Sequence, residues 1–294
     1  MSQNDPYLPP QGGQYIPPPP PYEATSDIPP ESPYHSSPAP QQGSRGLVGW
    51  LASAALAVWA VVKYGLLLVV KVPALATLLT GVVSVWAYTL LFPWQVAIGL
   101  VVLIFVHEMG HVLEIRRQGL AATAPIFLPF LGAGIFMRTQ AQSPLKQAQI
   151  AIAGPIAGTL GATVALVLYA ATRFDLFLVW AYFGYWINLF NLIPFGMLDG
   201  GWILAPVSKW IQVAGLAILA GLFFAGLINP LVLIVVAIGM PMVYRRFREP
   251  DYDAYLTSGP ASATLAIGAT WLALVVFLGV AFYQTEGMLQ TFLR

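Results

Sequence analysis

The chain contains no cysteine. That absence excludes a disulfide framework and any thiolate-bound metal, so a metal here must be held by His, Asp or Glu. Charge is the second scarcity. Asp, Glu, Lys and Arg make up 9% of the residues, where a soluble domain carries about 25%. So few charges cannot coat a surface that faces water. With 58% hydrophobic residues and a mean hydropathy of +0.73, the composition specifies a multi-pass integral membrane protein with the lipid bilayer as its solvent. A basic excess is lacking too. The formal net charge is +1, which gives no sign of a nucleic-acid binder. No basic n-region precedes the first apolar run at Leu47, so a cleavable signal peptide is not expected.

What is present begins with a proline-rich tail over residues 1–46. Of 25 prolines, 13 precede residue 41, five of them consecutive from Pro17 to Pro21. Such a segment buries no core and reads as disordered or polyproline II. Its PPPY stretch, Pro19 to Tyr22, either docks into an aromatic-lined groove on a partner or is simply a solvated tail. Apolar segments of about 20 residues follow, the length of a bilayer span. They lie near 47–70, 73–92, 95–116, 147–171, 176–197, 210–227, 230–243 and 263–284. The expected fold is all-α and polytopic, with about six to eight apolar helices. Residues 47–72 either span or lie in the interface, 73–210 form the core, and 211–294 supply the C-terminal transmembrane helices.

Residues 121–137 break this pattern. Pro125, Pro129, Gly132 and Gly134 interrupt an apolar run, and non-helical backbone at membrane depth survives only inside protein or beside a cavity. The segment reads as a re-entrant loop or short hairpin, or as an interfacial loop. Basic residues then set orientation. If Arg116 and Arg117 are cytoplasmic, alternation puts Arg138, Lys146, Lys209, Arg245, Arg246 and Arg248 on the same side, with Arg173 and Arg294 opposite.

The chemistry lies in the run from Leu100 to Gly119, which contains His107-Glu108-Met109-Gly110-His111. At about 100° per residue the two imidazoles stand one turn apart on one helix face, with Glu108 on the adjacent flank. This is the HExxH arrangement: two zinc ligands and a glutamate able to take a proton from water. By chance it occurs in roughly one chain in a hundred of this length. A charge at mid-bilayer costs about 2.5–3.5 kcal/mol, so three polar groups within five residues point to function rather than packing. A third protein ligand is needed. Asp175 and Glu286 fall on the opposite side, and Glu114 is explained by its i,i+3 pairing with Arg117. Asp199 remains, at the cytoplasmic end of its segment, behind a helix broken by Pro194.

"HEMGH" on one span and "NLIPFGMLDG" on a later one resemble the site-2 protease family of intramembrane zinc metalloproteases. The family pairs HExxH with Asn-x-x-Pro-x-x-x-Leu-Asp-Gly, here Asn191, Pro194, Leu198, Asp199 and Gly200. Where relatives often have proline after the Asn, this chain has Leu192. "AGPIAG" at 153–158 also looks like the family's intervening segment. The resemblance covers about 74–210. It implies zinc at His107, His111 and Asp199, Glu108 as general base, and Asn191 as a substrate-binding residue. It further implies that 121–137 is a membrane-embedded hairpin near a transmembrane protein substrate. No stretch between the motifs is long enough for the PDZ domain of some relatives. The expected setting is a prokaryotic cell membrane, with the active site toward the cytoplasm.

Two other readings remain at this stage. A zinc-binding, non-proteolytic adaptor working through the proline-rich tail has no need of Glu108. A transporter using His and Asp as an ion path gives no reason for the HExxH spacing. Gly154, Gly158 and Gly161 share a helix face and read as close-packing positions, and His35 reads as a solvated tail residue.

Overall fold

The computed structural model describes residues 47–137 and 139–292. The tail read as disordered therefore lies outside the described residues. The chain divides into two compact units, one ending at Val61 and the other running from Val62. Helix α1 (Leu47–Lys71) passes through that boundary. The second unit carries everything that follows.

In order come α2 (Pro73–Tyr88), α3 (Trp94–Arg117), strands β1 (Ile126–Leu128) and β2 (Gly132–Gly134), α4 (Pro144–Thr172), α5 (Asp175–Asn191), the single turn α6 (Asp199–Ile203), α7 (Lys209–Phe224), α8 (Val232–Arg248), α9 (Pro250–Leu256) and α10 (Ala261–Phe292). The chain is all-α apart from the hairpin. Helix starts follow local chemistry. Pro73 and Pro144 stand in first turns, where no N–H is missed. The Ser143 hydroxyl accepts from the Lys146 N–H, and Ser208 caps α7 by accepting from Trp210. Pro155 sits inside α4, with the Thr159 hydroxyl donating to the Pro155 carbonyl.

Three helices are long and apolar enough to cross a membrane among the described residues: Trp94–Arg117, Pro144–Thr172 and Ala261–Thr291. Their outward faces expose Leu160, Val164, Leu272, Val276 and Val280, as lipid-facing surfaces do. The expectation of about six to eight apolar helices is met only in part. Helices α2 and α7 have 16 residues, α5 and α8 have 17. At 1.5 Å per residue they reach about 24–26 Å, short of an apolar layer about 30 Å thick. The segment expected at 176–197 stops at Asn191, because Pro194 disfavours helix at the residues before it.

Helices α3, α4 and α5 pack against one another, and small residues bring them close. Ala151, Ala162 and Ala181 are buried together with Tyr185 and Leu192, and α10 adds Leu278 to the same cluster. A second cluster joins Phe195 and Leu198 to Leu219 of α7 and Val243 of α8. Residues 121–137 form a hairpin, with Phe127 opposite Ala133. Phe127 packs on Val101 and Ile104 of α3. Its N–H donates to the Thr80 hydroxyl, and the Thr77 hydroxyl donates to the Pro125 carbonyl at 2.6 Å. Helix α2 thus occupies the outer side of β1 and leaves β2 as the edge.

Candidate metal centre

His107 and His111 lie one turn apart on α3, as the spacing requires, and both are buried. Asp199 opens α6, brought to them by the irregular segment 192–198. Its carboxylate sits with Oδ2 3.0 Å from His107 Nε2 and Oδ1 3.3 Å from His111 Nε2. The two Nε2 atoms are 3.2 Å apart. The three side chains form a group able to hold a metal ion.

The far sides of the rings decide what the near sides offer. His111 Nδ1 lies 2.8 Å from the Ile150 carbonyl oxygen, which only accepts, so that nitrogen carries a proton. His107 Nδ1 lies 2.8 Å from Asn188 Oδ1. The Asn188 amide is oriented by its own Nδ2–H donating to the Gly184 carbonyl at 2.7 Å, so Oδ1 accepts from His107. An imidazole that carries its one proton on Nδ1 aims its Nε2 lone pair at the carboxylate. Asp199 Oδ2 is buried and receives no hydrogen bond. Two Nε2 lone pairs and a carboxylate this close repel unless a cation lies among them. For zinc bound at about 2.0–2.1 Å, tetrahedral geometry spaces ligands about 3.3 Å apart. Each Nε2 has one Asp199 oxygen at 3.0 or 3.3 Å and the two Nε2 atoms are 3.2 Å apart, close to that spacing. The donor set of two imidazoles and a carboxylate is zinc-like as well.

Room for these groups comes from α4. A Cβ on Gly154 would collide with the His111 ring, and one on Gly158 with the Asn188 amide. Two of the three glycines read as general packing positions therefore seat site residues directly. Only Gly161 faces ordinary apolar neighbours, Val106 and Leu103.

Glu108 is buried on the flank beside the histidines, and its carboxylate makes no hydrogen bond with the described residues. Glu114 is turned away: Arg117 grips both its oxygens at 2.6 and 2.7 Å, and Gln118 donates to one of them. Asn191 does not reach the ligands. It is half-buried, and its Nδ2 donates to the Ile187 carbonyl. The asparagine at the histidines is Asn188, one turn earlier, which the motif does not contain. It is one of two amides in a largely apolar helix, Asn188 and Asn191, and nothing in the motif marks it.

The family model described as peptidase family M50, the site-2 protease family, matches residues 95–174. That span holds α3 with both histidines and Glu108, the hairpin and α4, and it ends before Asp199. No curated protein matches the chain. The matched segment carries the features of a metallopeptidase, and with its long apolar helices the chain has the character of a membrane protein.

Proposed function

We propose that the chain is an intramembrane zinc metalloendopeptidase that hydrolyses peptide bonds in or near transmembrane segments of membrane-protein substrates, in regulated intramembrane proteolysis. The observation that carries this reading is the convergence of Asp199 with His107 and His111 beside a buried Glu108, the last three on a helix long and apolar enough to span. His107, His111 and Asp199 hold the ion. Zinc supplies Lewis acidity toward a peptide carbonyl and makes water acidic near neutral pH.

The rest of the chemistry belongs to the chain. Glu108 takes the proton from the attacking water on its carboxylate and delivers it to the leaving amine. Asn188 and the Ile150 carbonyl keep both Nε2 lone pairs aimed inward. A helical substrate hides its carbonyls in its own hydrogen bonds and must unwind to be cut. Strand β2 offers a place for the unwound stretch. Among the described residues it pairs only with β1, and a Cβ added to Gly132 or Gly134 would meet nothing within 4 Å. Backbone pairing there binds an extended segment with little regard to its side chains. Asn191 is assigned to holding the substrate, on the resemblance of its motif. The site faces the cytoplasmic side of a prokaryotic cell membrane, in keeping with the clustering of basic residues.

The test is metal content of the detergent-purified chain beside His111→Ala and Asp199→Ala, followed by cleavage of a transmembrane peptide by wild type and Glu108→Gln. About one zinc per chain is expected, lost in both ligand variants. Glu108→Gln keeps the zinc and loses cleavage. No zinc in well-folded wild type after reconstitution would sink the reading. Equal cleavage by Glu108→Gln would remove the role of the base, and zinc without any cleavage would favour the adaptor.

A further inference from the structure

Asp199 stands on α6, a helix of five residues. One turn is too short to hold itself in place, and its position rests on what grips it. Among the described residues the largest fully buried side chain is Arg246, 2% exposed, near the end of α8. Its Nη2 donates to the Ala205 carbonyl, just past α6, at 3.0 Å. The same guanidinium donates to Asp253 Oδ1 of α9 through Nε at 3.0 Å and Nη2 at 2.7 Å. Lys209 Nζ meets the other oxygen of Asp253 at 3.4 Å.

Burying a guanidinium is costly, and apolar residues of similar volume often stabilise a fold as well or better. An arginine here therefore calls for a purpose beyond filling space. Two further side chains from outside the matched segment act alike. Gln212 of α7 donates to the Gly201 carbonyl at 3.4 Å, and Trp271 of α10 donates to the Leu192 carbonyl at 2.9 Å. Helices α7, α8 and α10 thus each send one donor to the backbone of residues 192–205.

We infer that Arg246, clamped by Asp253, is a positioning residue that holds the turn 199–205 so that the Asp199 carboxylate meets His107 and His111. This inference rests on the metal-site reading above. Arg246 touches no ligand and acts through the backbone. A fork of donors joins the Asp253 carboxylate to the Ala205 carbonyl, and a lysine ammonium has no such fork.

The test uses the full chain in detergent, with two readouts: zinc affinity by chelator competition, and amide hydrogen exchange of the zinc-free protein. Arg246→Met is expected to bind zinc at least about 10-fold more weakly, the scale of losing an outer-shell support. Its amides over 199–205 should exchange faster, while those of α4 stay as in wild type. Arg245→Met removes an exposed guanidinium that pairs with Glu249, and it should match wild type in both readouts. If Arg246→Met does not fold, Arg246→Lys carries the same two readouts and the same expected direction. Wild-type affinity and wild-type exchange over 199–205 in the folded variant would overturn the inference. Faster exchange spread equally through α4 would overturn it too, because Arg246 would then be a general stabiliser. Wild type without zinc affinity would mark failure of the metal-site reading, and exchange over 199–205 would still decide the clamp.

Discussion

Replacing Gly154 by alanine tests the centre where α4 presses on a histidine. The new Cβ would overlap Nε2 and Cε1 of His111, with Cδ2 at 2.7 Å. Ordinary van der Waals contact begins near 3.4 Å, so the ring must retreat by about 1 Å. It has no free direction. Its Nδ1 is tied to Ile150 of α4, one turn before Gly154, and its Nε2 faces His107 and Asp199. Overpacking of this kind costs about 1–3 kcal/mol of stability, which a well-packed membrane core survives. A displacement of about 1 Å at a reacting group costs about 100-fold in rate. Gly154→Ala should therefore purify as a folded protein, bind zinc much more weakly, and lose about 100-fold or more in peptide cleavage. The assay pairs metal content and cleavage with thermal unfolding of the zinc-free protein. Gly161→Ala is the control, since its Cβ would meet one Val106 methyl at 3.1 Å and nothing of the site. Wild-type zinc content and cleavage in Gly154→Ala would refute the reasoning, because the ring would then have slack that the packing denies it.

Asn188→Ala should lower zinc affinity about 10–100-fold, as the loss of a partner orienting a ligand does, while Asn188→Asp, which still accepts from His107 Nδ1, loses less; chelator competition on both variants checks this. Glu114→Gln should leave zinc content unchanged and shift stability by no more than about 1 kcal/mol, since its partner Arg117 is exposed, and a drop in zinc content would mean that it ligates after all. Replacing Thr77 and Thr80 together by valine removes the hydroxyls that fasten the hairpin to α2, and steady-state cleavage should show KM raised more than kcat is lowered, with zinc content as in wild type. A fall in kcat alone would detach the hairpin from substrate binding.

Residue spacing carried much of this centre. His107, Glu108 and His111 belong to one helix turn, and helix periodicity alone puts them side by side whatever surrounds them. Scarcity of charge and length of apolar runs made the chain a membrane protein for a similar reason: solvent preference is a property of composition. Asp199 could be reached by elimination, because the chain has few acidic residues. The broken segment 121–137 announced itself through its prolines and glycines.

Other features had no local sign. Asn191 fits the motif, yet the amide on His107 is that of Asn188, and a helix turn separates the two with nothing in the sequence to rank them. Helices α2, α5 and α7 ended sooner than their apolar runs, because hydropathy continues through capping and proline positions that stop the backbone. Gly154 and Gly158 looked like general small-residue packing, whereas their partners are the two groups that complete the site. The bonds that finish the centre join residues far apart in the chain, 81 positions for His107 with Asn188 and 41 for Arg246 with Ala205. The sequence by itself determined the solvent, the helices and the chemistry each carries, all set by neighbours within a turn. Only the tertiary structure decided which distant carbonyls and amides aim that chemistry, because such contacts exist only once the helices have packed.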